Sequence, residues 1–168
     1  MDHVYSPWRS AYFGERPKGC VFCNITNNKQ DDEENMVIFR DKNCFGVMNK
    51  YPYMPAHFMI IPFKHTDAIE DLDEETWFEI SSHVKEGVKL LKEVFGAHGV
   101  NIGMNLGVAG GAGIAQHVHY HLVPRWPRDT NFITTIGDTR VNGHDFKEIY
   151  EKIKAAAPLY FKLKEEEN

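Results

Sequence analysis

Three histidines alternate with apolar residues in the stretch "QHVHYHLVP", which runs from Gln116 to Pro124. Residues two apart on a β-strand point to the same face, so the histidines would share one face of a sheet and the apolar residues the other. The histidines are His117, His119 and His121, and the intervening residues are Val118, Tyr120 and Leu122. Because each imidazole titrates near neutral pH, the pattern favours chemistry over a strand face that is merely polar.

Two kinds of chemistry fit this pattern. In the first, all three imidazoles bind one metal ion. In the second, they carry out nucleophilic and acid–base catalysis. Same-face positions lie about 6.5–7 Å apart along a strand, which is awkward for three ligands of one metal, although the outer histidines can turn away. The spacing suits a line in which the central histidine attacks and its neighbours orient it or bind another group.

A glycine-rich run, "GVAGGAG" at 107–113, directly precedes the histidines. It lacks the Gly-Lys-Ser/Thr sequence of a P-loop, and such a run is most often a flexible turn. Backbone N–H groups without bulky side chains also suit phosphate oxygens. The position next to three histidines gives weight to this second interpretation.

The composition excludes several classes of protein. The chain has 168 residues, 42% of them hydrophobic, which predicts one domain with a sizeable core. The net charge of -5 argues against a general nucleic-acid binder, which would need a basic surface. No apolar run approaches the roughly 20 residues of a membrane span, and "MDHVYSPWRS" lacks an apolar signal core. We expect a cytoplasmic protein without membrane or nucleic-acid partners.

The three cysteines are Cys20, Cys23 and Cys44. An odd number with one C-x-x-C suits a reducing compartment and a metal or redox role better than a disulfide framework. Cys44 begins an apolar run and is expected to be a core thiol.

Five runs have the character of strands: "MVIFRD", "CFGVMN", "FMIIP", "NIGMNLG" and "HVHYHLV". One long helix follows "AIEDLDEE", with Asp71 as the expected N-cap, Glu74 three residues later, and Gly96 or Gly99 at its end. Its apolar stripe consists of Trp77, Ile80, Val84, Val88, Leu91 and Phe95.

A second helix is expected from Asp145 to Ala157, with Pro158 as its stop. Its inward residues would be Phe146, Ile149, Tyr150 and Ile153. Strands grouped before and after a single long helix predict an α+β fold with a mostly antiparallel sheet.

The stretch "QHVHYHLVP" resembles the H-x-H-x-H-x-x motif of the histidine triad family of nucleotide-binding and hydrolase proteins. "GCVFCNI" resembles its N-terminal C-x-F-C-x-I segment, and "NKYPYMPAHFMIIPFKH" is similar to its strand–turn–strand unit ending in P-x-x-H. "SPWR", "HLVPRW" and "DTNF" resemble a branch that includes diadenosine tetraphosphate phosphorylases. The resemblance implies a single histidine-triad-like domain over 1–168, with a core at about 7–132 and a C-terminal helix and tail at 145–168.

The resemblance implies that His119 is the nucleophile, which attacks the α-phosphorus and carries the nucleotidyl group as a phosphoramidate. Imidazole suits this role because it attacks while neutral and leaves readily when protonated. His121 would hydrogen-bond the substrate phosphate or the leaving group. Splitting the transfer into two steps lets water, phosphate or another acceptor compete for the second.

The resemblance also implies a zinc ion. The four matching ligand positions are Cys20, Cys23, His65 and His117. Such a Cys₂His₂ set suits a closed tetrahedral structural site, which would hold the N-terminal segment beside the catalytic strand. The alternatives are a thiol pair packed in the core and a redox role of the C-x-x-C.

A nucleotide site is implied at further positions. The apolar base-pocket positions, which could equally be core positions, are Phe22, Val47 and Met59. The polar positions at the ribose, the sugar and the phosphates are Asn49, His57 and Asn105, and the positions before the triad are Gly113 and Ile114. For His57 the alternative is a structural histidine of a turn.

The chain departs from the family pattern before the triad. Many members carry Gly-Gln-Ser or Gly-Gln-Thr there, with the glutamine near the phosphates, whereas "GAGIAQ" has Gly113 at that position. Backbone N–H groups or another side chain must replace the glutamine. Arg9 and Arg125 are candidate phosphate ligands, and Trp8 and Trp126 are expected to pack.

Together these features predict a homodimeric enzyme that transfers a nucleotidyl group from a dinucleoside polyphosphate through His119, by phosphorolysis or hydrolysis. The dimer is implied by the resemblance alone. The alternatives are a purine nucleoside phosphoramidase and a nucleotide-binding regulatory module without significant turnover. The presence of all three histidines favours an enzyme, since a pure binder has no need of the nucleophile.

Overall fold

A computed structural model describes residues 19–137 and 143–163 of the chain. The helices are α1 Val21–Asn27, α2 Glu74–Phe95, α3 Phe132–Ile136 and α4 Phe146–Tyr160. The strands are β1 Val37–Arg40, β2 Cys44–Met48, β3 Phe58–Pro62, β4 Gly99–Gly103 and β5 Tyr120–Arg125. Two short 3₁₀ turns cover Lys29–Asp31 and Ile69–Asp71. The sequence positions Trp8 and Arg9 lie outside the described residues, as does the end of the tail.

The five strands form one antiparallel sheet in the order β1-β2-β3-β5-β4. The predicted α+β class with a mostly antiparallel sheet is therefore confirmed. In β3 every residue is buried. Phe58 and Ile60 join the core beneath α2 and α4, while Met59 and Ile61 join a second apolar cluster with Phe22 of α1. Both faces of the sheet are thus covered, and the triad lies on the face of α1.

The long helix α2 begins two residues later than predicted. Asp73 is its N-cap, and the Asp73 carboxylate accepts a hydrogen bond from the Thr76 backbone N–H at 2.8 Å. Asp71 lies instead in the preceding 3₁₀ turn. The end is as predicted: Gly96 adopts the left-handed conformation, φ 62°, which glycine reaches without a Cβ penalty.

The prediction that Pro158 stops the last helix is wrong, because α4 continues to Tyr160. The proline occupies the last turn, where only its own missing N–H is lost from the ladder. Phe161, which is buried against the Phe39 ring at a centroid distance of 4.2 Å, donates its backbone N–H to Ala157 O. Packing of Phe161 therefore extends the helix beyond the residue that sequence alone marks as its end.

A buried polar cluster ties α2 to the turn between β1 and β2. The two ring nitrogens of His83 lie 2.7 Å from the Asp41 carboxylate and 2.8 Å from the Glu86 carboxylate. The Glu79 carboxylate accepts two hydrogen bonds from Asn43, one from its backbone N–H at 2.7 Å and one from its side chain at 3.0 Å. Buried charged groups are tolerated only with such partners, so this cluster fixes how the helix lies on the sheet.

The predicted strand over the triad is shorter than expected. β5 begins at Tyr120, so His117 and His119 precede it and only His121 lies within it. Before β5, the Val118 backbone N–H bonds to Thr66 O at 2.8 Å, outside the regular ladder. The alternation nevertheless persists in β5, because Tyr120 and Leu122 pack with the core beneath α2 and α4, while His121 pairs with Met59 on the other face.

In the part of the chain that the structure describes, α2 is the longest helix, and neither it nor any other is long and apolar enough to cross a membrane.

Candidate active site

A row of side chains crosses three strands on the face of α1. Val47 of β2 pairs with Met59 of β3, and Met59 pairs with His121 of β5. Cross-strand partners lie about 4.5–5.5 Å apart on one face. The sheet register therefore places the predicted base-pocket residue Met59 beside His121, and Val47 next to Met59 in the same row.

His119 is held by the backbone of its own segment. Its Nδ1–H donates to the carbonyl oxygen of His117 at 2.8 Å. A neutral imidazole carries one proton, so this bond leaves the lone pair on Nε2. Phe22 packs against the ring at a centroid distance of 5.1 Å. The carbonyl that orients the central histidine had no signal in the sequence.

All three triad imidazoles favour the neutral form. Burial is the largest cause of the lowered pKa of His119, which the bond to the His117 carbonyl partly offsets. Burial also lowers the pKa of His117, and burial together with the nearby His119 lowers the pKa of His121 to about 4. Neutral imidazoles are the form that attacks phosphorus or ligates a metal.

His121 continues into a short chain of polar contacts. Its Nδ1 lies 2.9 Å from Nε2 of His57, whose Nδ1 accepts the backbone N–H of Tyr53 at 3.1 Å. His57 is fully buried, and burial lowers its pKa to about 3, with the neighbouring His121 and His119 adding to the shift. Both ring nitrogens of His57 thus have partners inside the protein.

The four predicted metal ligands converge. Their ligand atoms all lie within 4.8 Å of one another. The Cys20 Sγ–His117 Nδ1, Cys23 Sγ–His65 Nδ1 and His65 Nδ1–His117 Nδ1 distances are 3.3, 3.2 and 3.3 Å, and Cys23 Sγ lies 3.7 Å from His117 Nδ1. A tetrahedron with bonds of about 2.0–2.3 Å has edges of about 3.3–3.8 Å. The cluster could therefore hold a metal ion of the zinc type.

The protonation pattern of the cluster also fits a metal. His117 Nε2–H donates to the carbonyl of Pro62 at 2.9 Å, which leaves the Nδ1 lone pair for the cluster. Such a bond from the second nitrogen is typical of metal-bound histidines. Burial and the adjacent Cys20 raise the pKa of Cys23, so the Cys23 thiol needs a cation to become a stable thiolate ligand.

The remaining predicted nucleotide positions surround this face. Phe22, Val47 and Met59 are all buried in the second apolar cluster, and Ile114 packs against it. Asn49, at the end of β2, accepts the Tyr51 backbone N–H through its side-chain oxygen at 2.9 Å. Asn105 lies in the loop after β4 and is half-buried.

The glycine-rich loop uses part of its backbone internally. Gly111 N–H donates to Val108 O, and Ala112 N–H donates to Gly107 O. Gly111 has φ 88°, and a Cβ on Gly110 would lie 2.3 Å from Leu106 O. Glycine is therefore needed here for a tight turn, and these two N–H groups are not directed to phosphate. Gly113 is exposed.

Arg125, a candidate phosphate ligand, is held by neighbouring side chains. Its guanidinium forms two hydrogen bonds with the Asp129 carboxylate and a third with the Asn101 side chain at 2.9 Å. Asn131 accepts the Ile133 N–H and caps α3. The segment "DTNF" thus shapes the turn after β5, and Trp126 packs as predicted, with its indole N–H on Phe95 O.

Comparison with known proteins identifies relatives of this chain. A family model described as HIT domain matches residues 30–128. An AP-4-A phosphorylase of Mycobacterium tuberculosis is 34% identical over 151 residues, which cover 84% of this chain and 76% of the relative. A bis(5'-nucleosyl)-tetraphosphatase (asymmetrical) of Schizosaccharomyces pombe is 30% identical over 93 residues, which cover 55% of this chain and 50% of the relative.

A solved structure agrees with these matches. The crystal structure of a zinc-bound histidine triad family protein from Mycobacterium smegmatis superposes with a TM-score of 0.69 at 27% identity, covering 84% of this chain and 94% of the other. The fold and the extent of the family match agree. The chain belongs to the HIT (histidine triad) domain family.

Proposed function

We propose that this protein transfers a nucleotidyl group from a dinucleoside polyphosphate of the diadenosine tetraphosphate type, with His119 as the nucleophile and inorganic phosphate as the acceptor. The observation that carries the proposal is the hydrogen bond from His119 Nδ1–H to the His117 carbonyl, since it leaves the Nε2 lone pair for attack. The names of the two curated relatives support nucleotide processing. The relative that matches most of the chain is named a phosphorylase, which supports phosphate as the acceptor.

The proposed reaction has two displacements at one phosphorus. In the first, the His119 Nε2 lone pair forms an N–P bond, the bond from phosphorus to the bridging oxygen breaks, and that oxygen leaves with the electron pair as part of a nucleoside polyphosphate. In the second, an oxygen of inorganic phosphate attacks the same phosphorus and the N–P bond breaks. For diadenosine tetraphosphate the products are ATP and ADP. If water is the acceptor, they are ATP and AMP.

The first half of the reaction needs a neutral His119 imidazole with a free lone pair. The lowered pKa of His119 supports this form at neutral pH. The positive charge that develops on the nucleophile makes it a good leaving group in the second step. The partial burial of the site strengthens hydrogen bonds to the developing charges.

We further propose that Cys20, Cys23, His65 and His117 hold a structural zinc ion. Bound there, zinc would supply no reaction step, because four protein ligands leave no open position. Its proposed effect is to fix Phe22 and α1 against the catalytic segment, since two ligands flank Phe22 in the sequence and His117 precedes His119 by two residues.

A homodimer is also proposed. Support comes from β4, the last strand of the sheet order, which bonds to β5 on one side. Ile102 of this strand is 51% exposed. An edge strand with an exposed apolar side chain is a common site of pairing between copies.

The dimer is tested by the size of the assembly. Light scattering of the purified chain at micromolar concentration is expected to give twice the mass of one chain. Ile102→Lys should shift the distribution to monomers, because a charge on the edge opposes pairing. Phe78→Lys, an equally apolar-to-charged change on exposed α2 surface, is the control. A monomeric wild type would refute the proposal.

Metal content is expected to be about one zinc per chain by elemental analysis. Cys20→Ser should lose the zinc and lower the midpoint of thermal unfolding by roughly 10 °C or more, since a structural metal contributes several kcal/mol. Cys44→Ser is the matched control, because it alters a buried thiol outside the four ligands and should retain the zinc. A folded, metal-free protein whose stability is unchanged by added zinc would contradict the assignment.

Acid should destabilise the fold through the buried histidines. The folded-state pKa of His57 is about 3 against an ordinary value of 6.5. Below pH 6.5 the unfolded chain therefore binds more protons than the folded one, and the free energy of unfolding decreases as the pH is lowered. Between pH 7 and 5 this loss is about 2 kcal/mol for His57. Urea unfolding of His57→Gln should show a correspondingly flatter pH dependence than the wild type. His98→Gln replaces an exposed histidine and should keep the pH dependence of the wild type. The same slope of unfolding free energy against pH in the wild type and both variants would refute the argument.

The nucleophile is tested with diadenosine tetraphosphate, with and without phosphate. We expect ATP and ADP in the presence of phosphate, and an adenylylated chain in intact-mass spectra after rapid quenching. His119→Ala should lose about 10⁴–10⁶-fold in turnover while nucleotide affinity changes by a few-fold. His121→Ala should lose about 10²–10⁴-fold. His117→Ala should lose metal and stability together with activity.

Turnover by His119→Ala near the wild-type rate would end the assignment of the nucleophile. Nucleotide binding without any turnover by the wild type would favour the regulatory module. Cleavage of a nucleoside phosphoramidate in preference to the dinucleotide would favour the phosphoramidase.

A further inference from the structure

We infer that His57 and the backbone N–H of Tyr53 are positioning groups that fix the tautomer of His121, with its proton on Nε2 as a donor to the substrate. The inference rests on the proposed function for the identity of the substrate, but not for the tautomer. It gives His57 a role different from a contact with the nucleotide.

The chain of hydrogen bonds begins at a group that can only donate. The Tyr53 backbone N–H points to Nδ1 of His57 at 3.1 Å. A backbone amide cannot reverse this bond, so Nδ1 of His57 must present its lone pair. A neutral His57 therefore carries its proton on Nε2.

The second hydrogen bond determines the tautomer of His121 in the triad. His57 Nε2 lies 2.9 Å from His121 Nδ1, so the His57 Nε2–H donates and His121 Nδ1 accepts. A neutral His121 then carries its proton on Nε2. Each neutral ring has one donor and one acceptor nitrogen, so the direction of the hydrogen bond from the Tyr53 N–H determines both tautomers.

Burial keeps this chain in the neutral form that the argument requires. His57 is fully buried beneath the Tyr53 ring, whose centroid lies 4.8 Å from its own. The titratable groups that face His57 are His121 and His119, and both oppose a positive charge on it. The Asn49 side-chain nitrogen lies 3.4 Å from either ring nitrogen of His57, which places an uncharged amide on its remaining side.

The result is a pair of adjacent imidazoles with opposite tautomers. His119 is protonated on Nδ1 because the His117 carbonyl accepts there, and His121 is protonated on Nε2 because His57 donates to its Nδ1. Their ring centroids are 4.8 Å apart. One ring thus presents a lone pair and the other an N–H, which are the two groups that a displacement at phosphorus needs.

The proton balance follows from this pairing. As the N–P bond forms and the P–O bond breaks, the leaving oxygen takes the electron pair, and the His121 Nε2–H donates a hydrogen bond to it. The proton stays on the ring, because a neutral imidazole that lost its only proton would become an anion, and a polyphosphate leaves without being protonated. In the second step the same N–H donates to a phosphoryl oxygen, and the proton of the incoming acceptor, water or hydrogen phosphate, goes with the product or to solvent. The ring keeps one tautomer throughout the turnover.

The experiment compares two replacements of His57. In His57→Gln the side-chain oxygen can accept the Tyr53 N–H and the NH₂ group can donate to His121, whereas His57→Leu fills similar space without either bond. Circular dichroism and the zinc content report whether each variant is folded. Imidazole ¹⁵N chemical shifts distinguish the two tautomers of each histidine directly.

In the wild type we expect His121 protonated on Nε2 and His119 on Nδ1. His57→Leu should give a mixed tautomer at His121 and a fall in kcat of about 10–100-fold with diadenosine tetraphosphate, no more than the loss of one preorganised hydrogen-bond donor, while KM changes little. The fall should shrink with a nitrophenyl leaving group, whose negative charge is delocalised and needs less stabilisation by a hydrogen bond. His57→Gln should keep both the tautomer and most of kcat.

Protonation of wild-type His121 on Nδ1 would overturn the inference without any variant. An unchanged tautomer and kcat in a folded His57→Leu would do the same. If no substrate is turned over and no nucleotidyl-His119 forms, the proposed function fails, and the ¹⁵N shifts of the wild type still decide the positioning role.

Discussion

The hydrogen bond between His119 Nδ1–H and the carbonyl of His117 is the constraint on which the rest of the site depends. It determines which nitrogen of the central histidine has a lone pair. It also gives His117 two roles, because its side chain belongs to the cysteine–histidine cluster and its backbone carbonyl orients the ring of His119. Any displacement of His117 would therefore change both the cluster and the proposed nucleophile.

The N-terminal helix α1 is held in place by contacts with the same two histidines, His117 and His119. α1 is only seven residues long, too short to be stable by itself. Cys20 and Cys23 attach it to the cluster, and Phe22 packs against the rings of His117 and His119. The segment thus contributes both to the cluster and to the apolar floor beneath the triad. Its stability comes from tertiary contacts rather than from helix propensity.

The opposite face of the sheet supplies rigidity. Core residues such as Leu122, Phe58 and Ile80 are fully buried there between the sheet and α2. The His83 cluster locks α2 to the turn before β2. Because interiors are close-packed and resist deformation, the strands that carry Met59 and His121 keep a fixed register, which a reaction at one phosphorus requires.

The sequence by itself determined the α+β class and the resemblance to the family, because alternation on a strand and the C-x-x-C spacing are local properties. The set of residues that converge was implied by that resemblance. The apolar stripe of α2 was predicted by its periodicity. The boundaries failed where distant packing outweighs local signals, as at Pro158, where the burial of Phe161 extends the helix. Only the tertiary structure decided the tautomers, since the partners of His117, His119 and His121 include the carbonyl of Pro62 and the ring of His57, which are far away in sequence or carry no side-chain signal. Hydrogen bonds to backbone groups depend on the path of the chain in three dimensions. Every residue has the same carbonyl group, so the residue types do not reveal which carbonyl will accept.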